Sequence, residues 1–229
     1  NTAIASALLK NDELIDLKVL YKATPNTKKG QHFGSRFAWD REGYLYFSVG
    51  ERGERDINPQ DLMRDGGKIY RIHDDGRIPA DNPFVHVPGA KNAAFTYGNR
   101  NPQGMTAHPK TGQIIAHEHG PEGGDEINFI KPGRNYGWPV ISYGENYGGG
   151  EFAESTAKEG MEQPFYYWVP SIAPSGFAII DNVTYGDWNA NYLVGSLKFQ
   201  YLEMLDVDDQ GVTKREKLVD GLGRLRNVK

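Results

Sequence analysis

The segment GQHFGSR, residues 30–36, places a histidine in a glycine-containing loop just before a hydrophobic run. Histidine is the side chain whose ordinary pKa suits proton transfer near neutral pH, and the flanking glycines leave His32 free to point into a cleft. The segment is therefore compatible with a general base at His32. A histidine that is solvated or bonded within its own loop is the alternative.

A second polar segment, TYGNRNPQG at residues 96–104, carries Arg100 and Asn101 between a strand-like run and a turn. A planar guanidinium next to an amide is suited to a carboxylate or to a polarised carbonyl group. We expect both side chains to face one pocket. The alternative is a surface arginine beside a turn-forming Asn-Pro pair.

The loop EHGPEGGDE, residues 118–126, combines glycines and a proline with two adjacent carboxylates. Calcium takes oxygen ligands and accepts backbone carbonyls as readily as carboxylates, so Gly120 and Pro121 could aim carbonyls at one ion. Glu126 could bind a second ion together with a carbonyl from the following turn. The spacing matches no EF-hand loop, and the alternative is that Asp125 and Glu126 are simply solvated.

Cations lie near the ends of two late segments, SLKF at residues 196–199 and GRLR at residues 223–226. If Lys198, Arg224 and Arg226 converge on a channel, they form a receptor for a polyanionic ligand. Scattered surface charge is the alternative interpretation.

The composition narrows the classes of partner and of chemistry. The chain has 229 residues, a formal net charge of −4 and no cysteine. We expect one domain, residues 1–229, with no nucleic acid partner, because there is no basic stripe. No apolar run approaches the roughly 20 residues that span a bilayer, so membrane insertion is not expected. Disulfides, thiolate metal sites and a cysteine nucleophile are excluded.

Short aliphatic and aromatic runs between turn residues predict an all-β fold. The 28 glycines, 13 prolines and 13 tyrosines agree with many turns and aromatic strands. The predicted strands span residues 14–23, 37–40, 45–49, 68–72, 113–117, 127–130, 177–180, 192–197 and 202–207.

A weak internal repeat predicts a β-propeller rather than a plain sandwich. Its copies are GYLYFSVGERG from residue 43, GQIIAHEHGP from residue 112 and ANYLVGSLKF from residue 190. They start about 70 to 80 residues apart, more than a blade of about 40 to 50 residues, so insertions or a missed blade must intervene. Residues 79–92 and 143–158 are the expected insertions. The length suits about four blades, so the chain is expected to be a partial propeller.

In this order the motifs resemble the quinoprotein sugar dehydrogenases of the glucose/sorbosone dehydrogenase family. The motifs that carry the resemblance are HFGSR, SVGERG, DNPF, YGNRNPQG, EHGPEGGDEIN, GRNYGWP, APSG, GSLK and GRLR. The resemblance implies a six-bladed propeller that oxidises an aldose to its lactone with pyrroloquinoline quinone (PQQ) and calcium. It also implies an external electron acceptor, a monomer or homodimer, and a periplasmic or secreted location.

The resemblance assigns a role to each candidate residue. His32 resembles the general base, and Arg100 and Asn101 resemble the pair that contacts the quinone oxygens. Tyr147 matches an aromatic wall of the cofactor pocket. Three cations resemble the partners of the cofactor carboxylates, namely Lys198, Arg224 and Arg226. Four residues resemble calcium ligands: the Gly120 and Pro121 carbonyls for a cofactor-linked ion, and Glu126 with the Tyr136 carbonyl for a separate structural ion.

The sequence departs from the family pattern in ways that bear on activity. Some members have an acidic residue just before the base, whereas Gln31 stands here and cannot stabilise an imidazolium by charge. A cofactor-contacting glutamine of an early blade and the closing strands are expected to be missing, so the chain is interpreted as a fragment. Two other functions stay open, a calcium-stabilised binding module without redox activity and a calcium-dependent lactonase. The sugar is not specified by the sequence.

Overall fold

The computed structural model describes residues 2–229, and over this range the chain forms thirteen β-strands and one short 3₁₀ helix. The all-β expectation is confirmed. Among the described residues no helix is long and apolar enough to cross a membrane. In chain order the strands are β1 (Ala3–Lys10), β2 (Glu13–Lys22), β3 (Phe37–Trp39), β4 (Leu45–Val49), β5 (Lys68–Ile72), β6 (Pro102–Ala107), β7 (Ile114–Glu118), β8 (Asp125–Phe129), β9 (Tyr166–Trp168), β10 (Pro174–Ile179), β11 (Tyr192–Ser196), β12 (Leu202–Asp208) and β13 (Gly211–Val219), with the 3₁₀ helix at Val183–Trp188.

The strands form four antiparallel sheets that follow one another along the chain. The first sheet is the hairpin β1-β2, the second is β3-β4-β5, the third is β6-β7-β8-β9 and the fourth is β10-β11-β12-β13. Among the leading strands of the last three sheets, β6 lies against both β3 and β10. Consecutive meanders with adjacent leading strands are the arrangement of propeller blades, so the chain covers about four blades of a propeller.

The internal repeat marks the same position in each of the last three sheets. Its copies contain β4, β7 and β11, each the second strand of its sheet. No sheet intervenes between these copies within residues 2–229, so the long spacing comes from insertions rather than from a missed blade. The extra residues lie at 73–101, between β5 and β6, and at 130–165, between β8 and β9.

Each inner sheet contributes to two hydrophobic cores because successive strand residues point to opposite faces. Phe47 packs in the core between the first and second sheets, whereas the preceding Tyr46 packs in the core between the second and third. In the same way Ala116 faces the second sheet and Ile115 faces the fourth. The strands β4, β5 and β7 are therefore buried along their whole length.

Four strands were not predicted from the sequence, each for a local reason. β6 contains proline and glycine, and β9 has only three residues. β1 is rich in alanine, which has low strand propensity. β13 is an outer strand whose charged residues face solvent, so it lacks the apolar alternation of a half-buried strand.

Gly104 of β6 pairs with His117 of β7, and the buried His117 ring occupies the space where a Cβ at residue 104 would lie. We predict that Gly104→Ala lowers the free energy of unfolding by about 1–3 kcal/mol through overpacking. Urea unfolding measures this change. The control is Gly30→Ala, whose Cβ would meet no atom within 4 Å. Equal stability of the two variants would contradict the described packing.

Candidate functional site

The candidate site lies where β4, β7 and β11 end. Residues that follow these three strands line one continuous cleft, so the strands run towards the same end of the molecule. Glu51 follows β4, Pro121 follows β7 and Lys198 follows β11. Each copy of the internal repeat therefore places the residues that follow its strand at the cleft, one copy from each of the last three sheets.

His32 lies in this cleft with its side chain 19% exposed, and its Nδ1 atom is bonded to the carboxylate of Glu51. Its backbone has a φ of 53°, the left-handed region. A carboxylate can only accept, so Nδ1 carries the proton of this bond, and Nε2 has no hydrogen-bond partner among residues 2–229. The negative charge that Gln31 lacks is thus supplied by Glu51, a residue that the sequence analysis did not single out.

Arg100 is buried beside His32 and is held on several sides. Its Nη1 donates to the His119 carbonyl at 3.1 Å, its Nη2 lies 3.5 Å from the Tyr147 hydroxyl, and its guanidinium stacks 5.1 Å from the Trp138 ring centroid. Within residues 2–229 its buried Nε atom has no hydrogen-bond partner. A buried, fixed donor without a partner is suited to an oxygen atom of a bound ligand.

Glu118, at the end of β7, fixes the backbone of the Arg100 segment. Its carboxylate accepts from the amides of Arg100 and of Asn101, the latter at 3.1 Å, and from Asn99 Nδ2 at 2.8 Å. The Asn101 Oδ1 atom in turn accepts from the Gly34 amide at 3.0 Å, which ties this segment to the His32 loop. Asn101 therefore has a positioning contact in addition to its predicted contact with a cofactor.

The cleft has two compartments that share Pro121 and Tyr147. The first has a volume of about 160 Å³ and contains His32 and Arg100; the second has a volume of about 410 Å³ and contains Lys198 and Arg224. The predicted base and two of the predicted cations therefore come together. The insertion at residues 143–158 supplies part of the first wall, with Asn146, Tyr147 and Phe152.

Arg226 stands apart from the cleft. It lies outside both compartments, and its main-chain carbonyl accepts from the Arg36 guanidinium. Lys198 and Arg224 thus line the same compartment, while the Arg226 side chain is exposed and lines neither compartment.

Asp125 is buried and anchors its loop, so the alternative that this residue is simply solvated is excluded. Its carboxylate accepts from the Gly120 amide at 2.8 Å, from Ser171 Oγ at 2.9 Å, and from the amides of Ile172 at 2.7 Å and Ala173 at 3.0 Å. Burial raises its pKa to about 6, and these hydrogen bonds oppose the shift. Asp125 therefore holds the loop at residues 120–124 against the segment before β10.

The loop leaves the predicted carbonyl ligands unbonded. In the part of the chain that the structure describes, no hydrogen-bond donor reaches the main-chain oxygens of Gly120, Pro121 and Tyr136, although all three residues are buried. A Cβ at Gly120 would overlap the Gly123 carbonyl, which explains the need for glycine at this position. Buried carbonyls without donors suit a cation.

A small cavity of about 10 Å³ lies between Glu118, Glu126 and Tyr136. That volume accommodates about one water-sized sphere. Burial, and then the charge of Glu118, raises the pKa of Glu126 to about 8. The Tyr136 hydroxyl donates to the Phe129 carbonyl at 2.6 Å, which leaves its own carbonyl as the available oxygen. Among residues 2–229 no three His, Asp or Glu side chains form a metal cluster, so a cation here would depend on main-chain oxygens.

Lys68, at the start of β5, supports the loop that carries Glu51. Its buried Nζ atom donates to the carbonyls of Asn58 at 2.7 Å and Gly66 at 3.0 Å, and Asn58 Nδ2 donates to the Glu51 carbonyl at 3.0 Å. Burial lowers the pKa of Lys68 to about 7, against the opposing charge of Asp65. Asn58 therefore connects the backbone at Glu51 to the buried amine of Lys68.

Fold and cleft together define a β-propeller protein with a carboxylate–histidine pair in a cation-lined cleft. The family model described as Glucose / Sorbosone dehydrogenase matches residues 1–229, and the chain belongs to this family. The aldose sugar dehydrogenase YliI of Escherichia coli is 37% identical over 233 residues, which cover 100% of this chain and 62% of that protein. The chain thus spans less than two thirds of that relative.

Solved structures agree with the family. A glucose dehydrogenase structure superposes with a TM-score of 0.94 at 37% identity, covering 98% of this chain and 66% of that one. The PQQ-bound form of an aldose sugar dehydrogenase from Streptomyces coelicolor has a TM-score of 0.76 at 29% identity, covering 98% and 61%. The roles of the individual site residues stay predictions.

The pKa of Lys68 predicts a pH dependence of stability. The unfolded chain keeps this proton up to the ordinary pKa of 10.5, whereas the folded protein releases it near pH 7. Between these values the unfolded state binds more protons, so the free energy of unfolding should rise with pH by about 1 kcal/mol per unit.

Urea unfolding at pH 7, 8 and 9 measures this slope, and Lys68→Met should reduce it whatever its effect on absolute stability. The matched control is Lys28→Met, since Lys28 is exposed. A Lys68→Met slope equal to that of the unmodified protein would refute the assignment.

Proposed function

We propose that the protein is a PQQ- and calcium-dependent aldose dehydrogenase that oxidises the anomeric carbon of a sugar to the lactone. The observation that carries the proposal is the bond between buried Glu51 and His32 in a cleft that also holds Arg100. Family membership and the PQQ-bound relative support it. An external electron acceptor and a periplasmic or secreted location accompany the proposal, by family resemblance.

The cleft residues fit a planar anionic quinone. PQQ is a tricarboxylate, and Lys198 and Arg224 in the second compartment would pair with its carboxylates, with Arg226 near them by resemblance. Tyr147, a residue that is 71% exposed and borders both compartments, would cover one face of the ligand. Arg100, with its unbonded Nε, and Asn101 would contact the quinone oxygens. When bound, the quinone supplies the acceptor for the hydride of the anomeric carbon.

His32 would take the proton of the anomeric hydroxyl at Nε2, because Nδ1 is engaged by Glu51. As the ring becomes an imidazolium, the Glu51 carboxylate stabilises its charge and holds its orientation. The oxidation removes a hydride from the anomeric carbon and a proton from the anomeric hydroxyl group. The fixed base His32 would accept the proton, and the fixed cation Arg100 would stabilise the negative charge that the hydride brings to the acceptor.

Calcium is proposed at two places. The unbonded carbonyls of Gly120 and Pro121 would hold a cofactor-linked ion, which would polarise the quinone as a Lewis acid. Glu126 and the Tyr136 carbonyl would hold a second ion in the small cavity beside Glu118. The donor set supports both sites, since hard oxygen ligands are what calcium prefers.

The alternatives lack a matching observation. A propeller that only binds a partner has no use for a carboxylate–imidazole pair, and a lactonase needs several side-chain carboxylates on one ion. The deciding experiment reconstitutes the chain with quinone and calcium and follows sugar-dependent reduction of a dye. Lactone hydrolysis without quinone would favour the lactonase instead.

We predict that His32→Gln lowers kcat of dye-coupled sugar oxidation by about 10²- to 10⁴-fold while quinone absorbance shows that the cofactor still binds. Glu51→Gln keeps a hydrogen-bonding group at Nδ1 but removes the charge, and it should lower kcat by about tenfold or more with little change in KM. Lys28→Ala is the control, because Lys28 is exposed and lines neither compartment of the cleft. Near-normal turnover of His32→Gln would reject the base assignment.

We also predict that saturating calcium raises the melting temperature of the quinone-free chain. Binding at about 100 times Kd is worth about 2.7 kcal/mol, or a rise of about 5 °C or more. Glu126→Gln should lose part of this rise, whereas Glu122→Gln on the exposed side of the same loop should keep it. No calcium effect on any of the three proteins would exclude the metal sites.

A further inference from the structure

A second cavity lies at the end of the third and fourth sheets that is opposite to the cleft. Its volume is about 450 Å³, within the range of about 300–1,000 Å³ typical of small-molecule sites. It is bounded by the β6–β7 loop, the end of β8, the start of β11 and the β12–β13 turn. Its lining comprises His108, Lys110, Thr111, Gln113, Phe129, Phe165, Ala190, Tyr192, Val207, Asp208, Asp209 and Gln210.

This cavity is separate from the cleft because β7 and β11 run between the two. The cleft lies beyond Glu118 and Ser196, where these strands end, and the second cavity lies at Gln113 and Tyr192, where they begin. Strands of this length span about 15 Å. A molecule in the second cavity would therefore not touch His32.

Aromatic rings form one wall of the cavity. Phe129 and Phe165 meet edge to face with ring centroids 4.8 Å apart, and the Tyr192 ring lies 6.4 Å from that of Phe165. Phe129 and Phe165 are only partly buried. Ring faces of this kind pack against flat, apolar C–H surfaces of a ligand.

Tyr192 adds a polar group to this wall. The residue is 3% exposed, and burial raises its pKa to about 12, so the hydroxyl keeps its proton. From residue 2 to residue 229 no group of the protein forms a hydrogen bond with this hydroxyl. The hydroxyl oxygen is not fully buried, so it is open to the cavity, where a ligand or solvent can bond to it.

His108 presents a fixed donor at the rim. Its Nδ1 atom accepts from the amides of Lys110 at 3.2 Å and Thr111 at 3.3 Å, so the proton of the neutral ring is on Nε2. Burial, and then the charges of Lys110 and Arg41, lower its pKa, which keeps the ring neutral at pH 7. Over the described residues its Nε2–H has no acceptor.

The remaining rim is polar, with a small excess of negative charge. The lining contains two carboxylates, Asp208 and Asp209, and one cation, Lys110. Gln113 and Gln210 add amides that both donate and accept hydrogen bonds. An anionic ligand is disfavoured by the two carboxylates. The rim suits a ligand that carries several neutral hydroxyl groups.

We propose that this cavity, between the third and fourth sheets, binds a neutral saccharide ring, free or at the end of an oligosaccharide. The apolar ring face would lie on Phe129 and Phe165, and its hydroxyl groups would bond to the Tyr192 hydroxyl, His108 and the amides of the rim. The site is non-catalytic and does not depend on the proposed oxidation.

Isothermal titration of the quinone-free chain with D-glucose and with maltotriose tests the site, with gluconate as the anionic probe. Tyr192→Phe keeps the ring, and His108→Asn keeps an acceptor for the loop amides, so both should fold with little change in melting temperature. Each should weaken sugar binding by roughly three- to tenfold, the value of one neutral hydrogen bond.

Two controls separate this site from the cleft. Arg100→Ala alters the cleft and should leave binding to the second cavity unchanged, and Tyr185→Phe changes an exposed tyrosine outside it. Absence of sugar binding in the unmodified chain, loss of binding only in Arg100→Ala, or gluconate binding as tight as that of glucose would each overturn the proposal.

Discussion

The cleft depends on Glu118, a carboxylate buried at the end of β7. Burial raises its pKa, and the donors from Asn99, Arg100 and Asn101 oppose that shift, so these three donors compensate the carboxylate for the solvent that burial removes. The same carboxylate borders the small cavity that contains Glu126. One buried charge therefore connects the guanidinium of the proposed quinone site with the cavity of the proposed calcium site.

Two other parts of the cleft are also held in place by buried carboxylates. Glu51 holds His32, and Asp125 holds the loop of Gly120. Each carboxylate is bound by donors that are distant in sequence, so the cleft is assembled from three sheet ends rather than from one segment. The proposed base and the proposed carbonyl ligands thus take their positions from buried acids behind them.

Much of this arrangement is readable from sequence, and the rest depends on long-range contacts. Short aliphatic and aromatic runs between turn residues predicted β4, β7 and β11, and the glycines predicted the tight loop at residues 120–124. Glu51 was missed because its partner His32 lies on another loop, and nothing near residue 51 signals that pairing. Asp125 was left open as a solvated residue because its four donors come from residues 120 and 171–173, beyond the reach of local pattern. Arg226 was grouped with Lys198 on charge and on the resemblance, and in the structure Lys198 lines the cleft whereas Arg226 does not.

The division of each sheet between two cores has a further consequence. Tyr46 and Phe47 are neighbours in sequence but belong to different cores, as do Ile115 and Ala116. No inner sheet can then open without exposing the apolar faces of both its neighbours. The interface between two sheets is accordingly the cooperative unit of unfolding, and the stability of each sheet depends on its interfaces with the neighbouring sheets. A disturbance at one end of a sheet is therefore shared with the adjacent sheets.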